Sequence, residues 1–195
     1  LRLDDPASQH LPALRGSAFE RISLLDLATY TPGGLPLQFP DAVRSEQQML
    51  DYYRAWQPAY PAGSQRLYSN PSIGLLGHIT GIALESNFAD AMEGQIFPAF
   101  GMANTYIRVP DQAMAHYAWG YDKTSKAVRV SPGVLDAQAY GVKSTAADMV
   151  RYVQANIAPD QLDEALRRAV EGTHLGYFKA GAMVQGLGWE RYPYP

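Results

Sequence analysis

The 195-residue chain contains no cysteine. Disulfides, thiolate-bound metals and a cysteine nucleophile are therefore excluded, which suits an oxidising compartment without requiring one. No apolar run approaches the roughly 18 residues of a membrane-spanning helix, so no membrane partner is expected. Runs of lysine and arginine are missing too. A formal net charge of -3, with 18% of residues charged, is too small and too mixed for a nucleic-acid surface. His10, His78, His116 and His174 lie far apart and show no H-E-x-x-H spacing, so no metal centre is expected. His78 falls inside a helical stretch and reads as half-buried packing. Glycine loops of the phosphate-cradling kinds are also absent, and no cofactor is expected.

The usual serine nucleophiles are missing as well. No serine has a lysine three residues on, and no G-x-S-x-G occurs. Asn70-Pro71-Ser72-Ile73-Gly74 is a near miss that lacks the first glycine. K-T-G is absent, since Lys179-Ala180-Gly181 has alanine in the middle.

What is present is a globular composition, 47% hydrophobic, with 13 tyrosines. Ser23 reads as the cap of a short helix that breaks at Pro32-Gly33-Gly34, and Ser45–Gln57 as an amphipathic helix. Asn70-Pro71 reads as the start of a helix running to about Ser86, with Asn70 as its cap. NFADAMEGQIFPAFG predicts another helix ending near Pro98 to Gly101. YAWGYDKTSKAVRV predicts two short strands about a polar turn, and SPGVLDAQAYGVKST a loop without periodicity. Thr145 and Asp148 form a capping-box pattern for a helix over about Ala146–Asn156. DQLDEALRRAVEGT reads as one more helix and MVQGLGWERY as a strand with a glycine bend. The layout is mostly helical over 1–115 and mixed α and β over 116–195. LRLDDPASQHLPAL carries neither an initiator methionine nor a signal-peptide pattern, and GLGWERYPYP runs into prolines; both ends predict an internal segment of a longer chain.

The stretch RLYSNPSIGLLGH raises the question of chemistry. A helix N-terminus concentrates unpaired N–H donors and positive partial charge, which favours an ionised phenol nearby. An unperturbed phenol titrates near ~10, so work as a base at pH 7 needs a drop worth about 4 kcal/mol. A helix end supplies ~0.3–1 kcal/mol, and neighbouring cations must supply the rest. Asn70 offers a donor and an acceptor, suited to an amide-bearing ligand. The residues alone leave two readings open: Tyr68 and Asn70 as site residues, or a packed ring and a helix cap.

TPGGLPLQFP (Thr31–Pro40), RLYSNPSIGLLG (Arg66–Gly77), VSPGVLDAQAYGVKST (Val130–Thr145) and QGLGWE (Gln185–Glu190) occur in this order. Together they closely resemble the class C β-lactamases, and LRLDDPASQH and LLDLATYT are similar to the Pseudomonas members. The similarity spreads over essentially the whole chain. It implies the β-lactamase/penicillin-binding-protein fold, here the helical domain (1–115) plus part of the α/β domain (116–195). It implies acylation of a serine in S-x-x-K followed by hydrolysis, with a small-molecule β-lactam substrate, a monomer, and a periplasmic location. Carried over by position, Tyr68 matches the tyrosine proposed as general base. Asn70 matches the asparagine that meets the substrate amide and the catalytic lysine. Gln38 matches a glutamine of the substrate side-chain pocket, and Tyr140 a tyrosine of its wall. S-x-x-K and K-T-G would lie upstream and downstream of this chain, which alone is expected to be inactive and to fold poorly. Gln138 stands where glutamate is common in the family and Pro32 where a small residue is usual; neither indicates a direction for substrate range. Two alternatives share the scaffold: a serine esterase or D-Ala-D-Ala peptidase, and a catalytically dead β-lactam-binding module.

Overall fold

The computed structural model describes residues 1–194. Polar caps start the helices that build its core. After the one-turn helix α1 (Ala7–His10), Ser23 caps α2 (Leu24–Ala28) in a reciprocal box: Asp26 N–H donates to Ser23 Oγ at 3.1 Å, and Ser23 N–H donates to Asp26 Oδ2 at 2.9 Å. Ser45 caps α3 (Glu46–Ala55). The central helix is α4 (Asn70–Ala83). Leu27 from α2, Met49 and Tyr53 from α3, and Leu75 and Ile79 from α4 are all fully buried and form one core with Leu14, Phe19 and Leu35. The Tyr53 hydroxyl is satisfied there by donating to Pro71 O at 2.7 Å.

The helix predicted to reach about Ser86 ends at Ala83 instead. Glu85 adopts φ +51°, and Ser86 N–H bonds back to Gly81 O at 3.1 Å while Glu85 N–H reaches Ile82 O at 3.0 Å. These are the paired bonds of a Schellman closure, with glutamate where glycine is usual. A second, smaller core of Ala89, Phe97, Met102 and Ile107 follows. It is built on α5 (Phe88–Ala91), a π-turn (Met92–Ile96) and α6 (Phe97–Ala99), in unbroken succession.

Beyond residue 116 the strands are short. β1 (Gly120–Tyr121) and β2 (Ala127–Val128) pair antiparallel, as expected. The segment expected to be a structureless loop contains α7 (Asp136–Ala139). Four residues are too few to show a period, and tertiary contact stabilises this turn. Leu135, at φ +61°, and Gln138 press on α4 where it has no side chains: a Cβ on Gly74 would lie 2.9 Å from Leu135 Cβ, and one on Gly77 would lie 2.7 Å from Gln138 Cβ. α8 (Ala146–Ile157) is capped by Thr145, but the box is not reciprocal. The fully buried Asp148 carboxylate turns away, accepting from Asn104 N–H at 2.7 Å and Thr105 Oγ1 at 2.9 Å. The predicted helix over DQLDEALRRAVEGT is split into a 3-10 turn and α9 (Glu164–Thr173), capped by Asp163. The expected single strand in MVQGLGWERY is a hairpin. β4 (Met183–Gln185) pairs with β5 (Glu190–Arg191) and with β3 (Phe178–Ala180), giving the antiparallel order β3-β4-β5.

Candidate active site

Four straps hold the residues ahead of α4. Leu67 N–H donates to Tyr30 O at 2.9 Å, and Asn70 N–H donates to Leu37 O at 3.0 Å. Ser69 Oγ donates to Pro36 O at 2.7 Å and accepts from Ser72 N–H at 3.1 Å. The helix cap is therefore Ser69, not Asn70, which is the first helical residue. The Ser69 hydroxyl and the Asn70 carboxamide compete for the role in Y-S-N-P-S, and the residue with extended backbone, Ser69, wins. The consequence is chemical: Asn70 keeps its carboxamide free of capping. Asn70 Oδ1 is buried and accepts no hydrogen bond among the described residues.

Tyr68 is 44% exposed. Its ring leans on that of Tyr30, with centroids 4.8 Å apart. Tyr30 is buried at φ +61°, and the Arg66 guanidinium lies 5.0 Å from the centre of its ring. Burial pushes the Tyr30 hydroxyl up to about 12; the Tyr68 phenol adds to that rise, Arg66 opposes it and the Glu190 carboxylate adds again. Arg66 in turn donates to Gln185 Oε1 at 2.7 Å and to Glu190 Oε1. The loop before α4 is thereby joined to the β4–β5 hairpin.

Gln38 is exposed and follows Leu37, whose carbonyl accepts from Asn70, so Gln38 and Asn70 belong to one locked corner. Tyr140 closes α7 and is 38% exposed. Its phenol lies over Gly133, where a Cβ would meet it at 3.0 Å, and burial raises its pKa, with Asp136 adding to the rise. Gln138 spends its side-chain stem on Gly77, and Pro32 is buried beside Gly33, itself packed on Pro58 and Tyr60.

The two serines of Y-S-N-P-S are not available as nucleophiles. Ser69 and Ser72 are completely buried, and Ser72 Oγ donates to Leu27 O at 2.9 Å. His78 is half-buried on α4, with Nε2 3.9 Å from Glu46 Oε1; burial lowers its pKa and Glu46 opposes that. Among the described residues no cluster of three histidine, aspartate or glutamate side chains is arranged for a metal, and no helix is long and apolar enough to cross a membrane. Sequence reading does not single out Arg66 or Tyr30. Their partners lie far along the chain, and no local spacing signals them.

What the corner offers chemically is an exposed tyrosine two residues from a carboxamide whose acceptor is unspent among the described residues, on backbone strapped to Tyr30 and Leu37. Comparisons with known proteins agree along the whole chain. The family model described as Beta-lactamase matches residues 1–195. A Beta-lactamase of Pseudomonas fluorescens is 53% identical over 195 residues, covering 100% of this chain and 54% of its own length. That of Escherichia coli (strain K12) is 45% identical, with 52% of its length covered. Among solved structures, a Beta-Lactamase/D-Alanine Carboxypeptidase from Pseudomonas syringae superposes with TM-score 0.96 at 46% identity, covering 100% of this chain and 55% of that one. A class C beta lactamase from Rhodobacter sphaeroides gives TM-score 0.94, also at 46% identity and with the same two coverages. The chain spans about half the length of the curated relatives it matches.

Proposed function

The chain belongs to the β-lactamase family, and from that premise we propose that it is the part of a periplasmic, monomeric class C enzyme that carries the tyrosine base and one wall of the substrate pocket. The reaction is hydrolysis of the cyclic amide of penicillins and cephalosporins. A serine supplied by the rest of the enzyme attacks the carbonyl, its proton passes to Tyr68, and the acyl-enzyme is then hydrolysed with Tyr68 activating water. Asn70 takes two partners through its carboxamide, the substrate's side-chain amide and the lysine that accompanies the serine. Gln38 and Tyr140 bound the pocket for the substrate side chain. The oxyanion hole comes from the nucleophile's own N–H and from a strand of the remaining half. In the same reading, 1–115 is the helical domain and 116–195 a share of the α/β domain.

The observation that carries this reading is the pairing at the start of α4: an exposed Tyr68 phenol two residues from a buried Asn70 Oδ1 that has no partner among the described residues. A carboxamide left so is costly unless a donor reaches it, and an ammonium or amide N–H supplies one. The test is turnover of a chromogenic cephalosporin by the full-length enzyme and its Tyr68→Phe variant. Loss of about 10²-fold or more in kcat is expected. Undiminished turnover in Tyr68→Phe would overturn the role given to Tyr68. Purified 1–195 is expected to show no turnover, and activity that survives repurification and disappears in Tyr68→Phe would contradict that.

A second reading is favoured by one finding, the carboxypeptidase half of the Pseudomonas syringae protein's description. A D-Ala-D-Ala peptidase or esterase uses the same serine, lysine and tyrosine, so fold does not separate them. Rates on a cephalosporin, a D-Ala-D-Ala peptide and a short-chain ester by the full-length enzyme do. Saturable penicillin binding without an acyl adduct would instead mark a binding module.

A further inference from the structure

The exposed phenol of Tyr68 is steadied by a group of side chains from three distant parts of the chain. Behind its ring lies the Tyr30 ring at 4.8 Å, and beside the Tyr30 ring lies the Arg66 guanidinium at 5.0 Å. Arg66 is itself held: its side chain is 14% exposed, Nε donates to Gln185 Oε1 at 2.7 Å, and Nη2 donates to Glu190 Oε1. Gln185 is 1% exposed and cannot swing away, because its Nε2 donates to Gly186 O at 2.8 Å and to Trp189 O at 3.1 Å. The Glu190 carboxylate also accepts from Tyr192 Oη at 3.1 Å.

We propose that Arg66 is a positioning residue for Tyr68, transmitting the geometry of the β4–β5 hairpin to the phenol through the Tyr30 ring. The inference rests on the reading of Tyr68 as the base. Tyr68 makes no side-chain hydrogen bond among those described for its surroundings, so ring contact and backbone are what define its phenol oxygen. Leu67 N–H fixes the backbone to Tyr30 O at 2.9 Å, ahead of the Asn70 strap, and the ring contact fixes χ1 and χ2. Both run through Tyr30, whose own ring meets the Tyr68 ring and the Arg66 guanidinium. A planar guanidinium is well shaped for such an anchor, because one edge makes two bonds to the hairpin while its stem and charge rest beside an aromatic ring. Displacement of a reacting group by about 1 Å can cost up to about 10²-fold in rate, so loss of the anchor should be felt in kcat.

The test is a double-mutant cycle in the full-length enzyme with a chromogenic cephalosporin. Arg66→Met keeps the stem and removes the charge and both bonds. It is expected to lower kcat about tenfold, leave KM within about twofold, and have less than about a twofold effect when Tyr68 is already phenylalanine. An equal loss in both backgrounds would show that Arg66 acts on the fold and not through Tyr68. Unchanged kcat in Arg66→Met would also overturn the proposal. The Tyr68→Phe arm separates the two levels: if that variant alone is fully active, the base assignment fails and this inference fails with it. Should Arg66→Met not fold, Tyr30→Leu leaves the hairpin bonds in place and removes the ring, and the same non-additivity with Tyr68→Phe is expected. Additive effects there would refute the positioning route.

Discussion

The start of α4 and the β1–β2 hairpin are about 50 residues apart and opposite in construction. At α4, Ser69, Ser72 and Leu75 are completely buried, and the entering chain is bonded to several different segments. At the hairpin, Gly120, Tyr121, Ala127 and Val128 are all exposed, and the turn is held by Asp122 accepting from Thr124 and Lys126 N–H groups. The first arrangement holds one side chain in place from several directions. The second is a local device that owes little to the core. A phenol that must meet a reacting atom within a fraction of an ångström belongs on the first kind of scaffold.

That contrast can be broken by substitution, beginning with the core. Leu75→Ala should cost about 2–5 kcal/mol in urea unfolding, because the cavity opens among side chains that cannot collapse into it. A loss no larger than that of an exposed hairpin position, within about 0.5 kcal/mol, would erase the distinction between the two regions. Gly74→Ala should cost about 1–3 kcal/mol, since its Cβ would sit 2.9 Å from Leu135 Cβ. It should also shift α7, and crystallography of the variant would show Tyr140 displaced. Ser69→Ala removes a cap and leaves the Pro36 carbonyl without its donor, an expected loss of about 1–2 kcal/mol. Asn70→Ala, which removes no cap, should be the milder of the two in unfolding experiments.

The smallest effect concerns pH. Burial lowers the His78 pKa in the folded chain, so the unfolded chain takes up its proton first as pH falls. Stability is therefore expected to decline from about pH 6.5 downward, and His78→Gln should flatten that decline. Identical acid limbs for both proteins would show that His78 is not the group responsible.

Much of the helical framework is legible locally. Ser23, Ser45 and Thr145 each precede an apolar or amphipathic run and each caps its helix. The polar turn between Tyr121 and Ala127 declares a hairpin for the same reason: the bonds that make it lie within a few residues of one another. Other features misread because their partners are remote. Asn70 looks like a cap until Ser69 is seen anchored to Pro36. Asp148 looks like half of a capping box until Asn104 and Thr105 claim its carboxylate.

The family, the order of its motifs and the residue types at Tyr68, Asn70, Gln38 and Tyr140 are properties of the chain as written. Side-chain chemistry and local caps need no neighbours to be recognised. The tertiary structure alone decided which way those side chains face, that Asn70 keeps its acceptor unspent, that α7 lies along the bare glycines of α4, and that Arg66 meets Gln185 and Glu190. Each of these depends on groups far apart in sequence, whose meeting is set by packing. No local spacing encodes it.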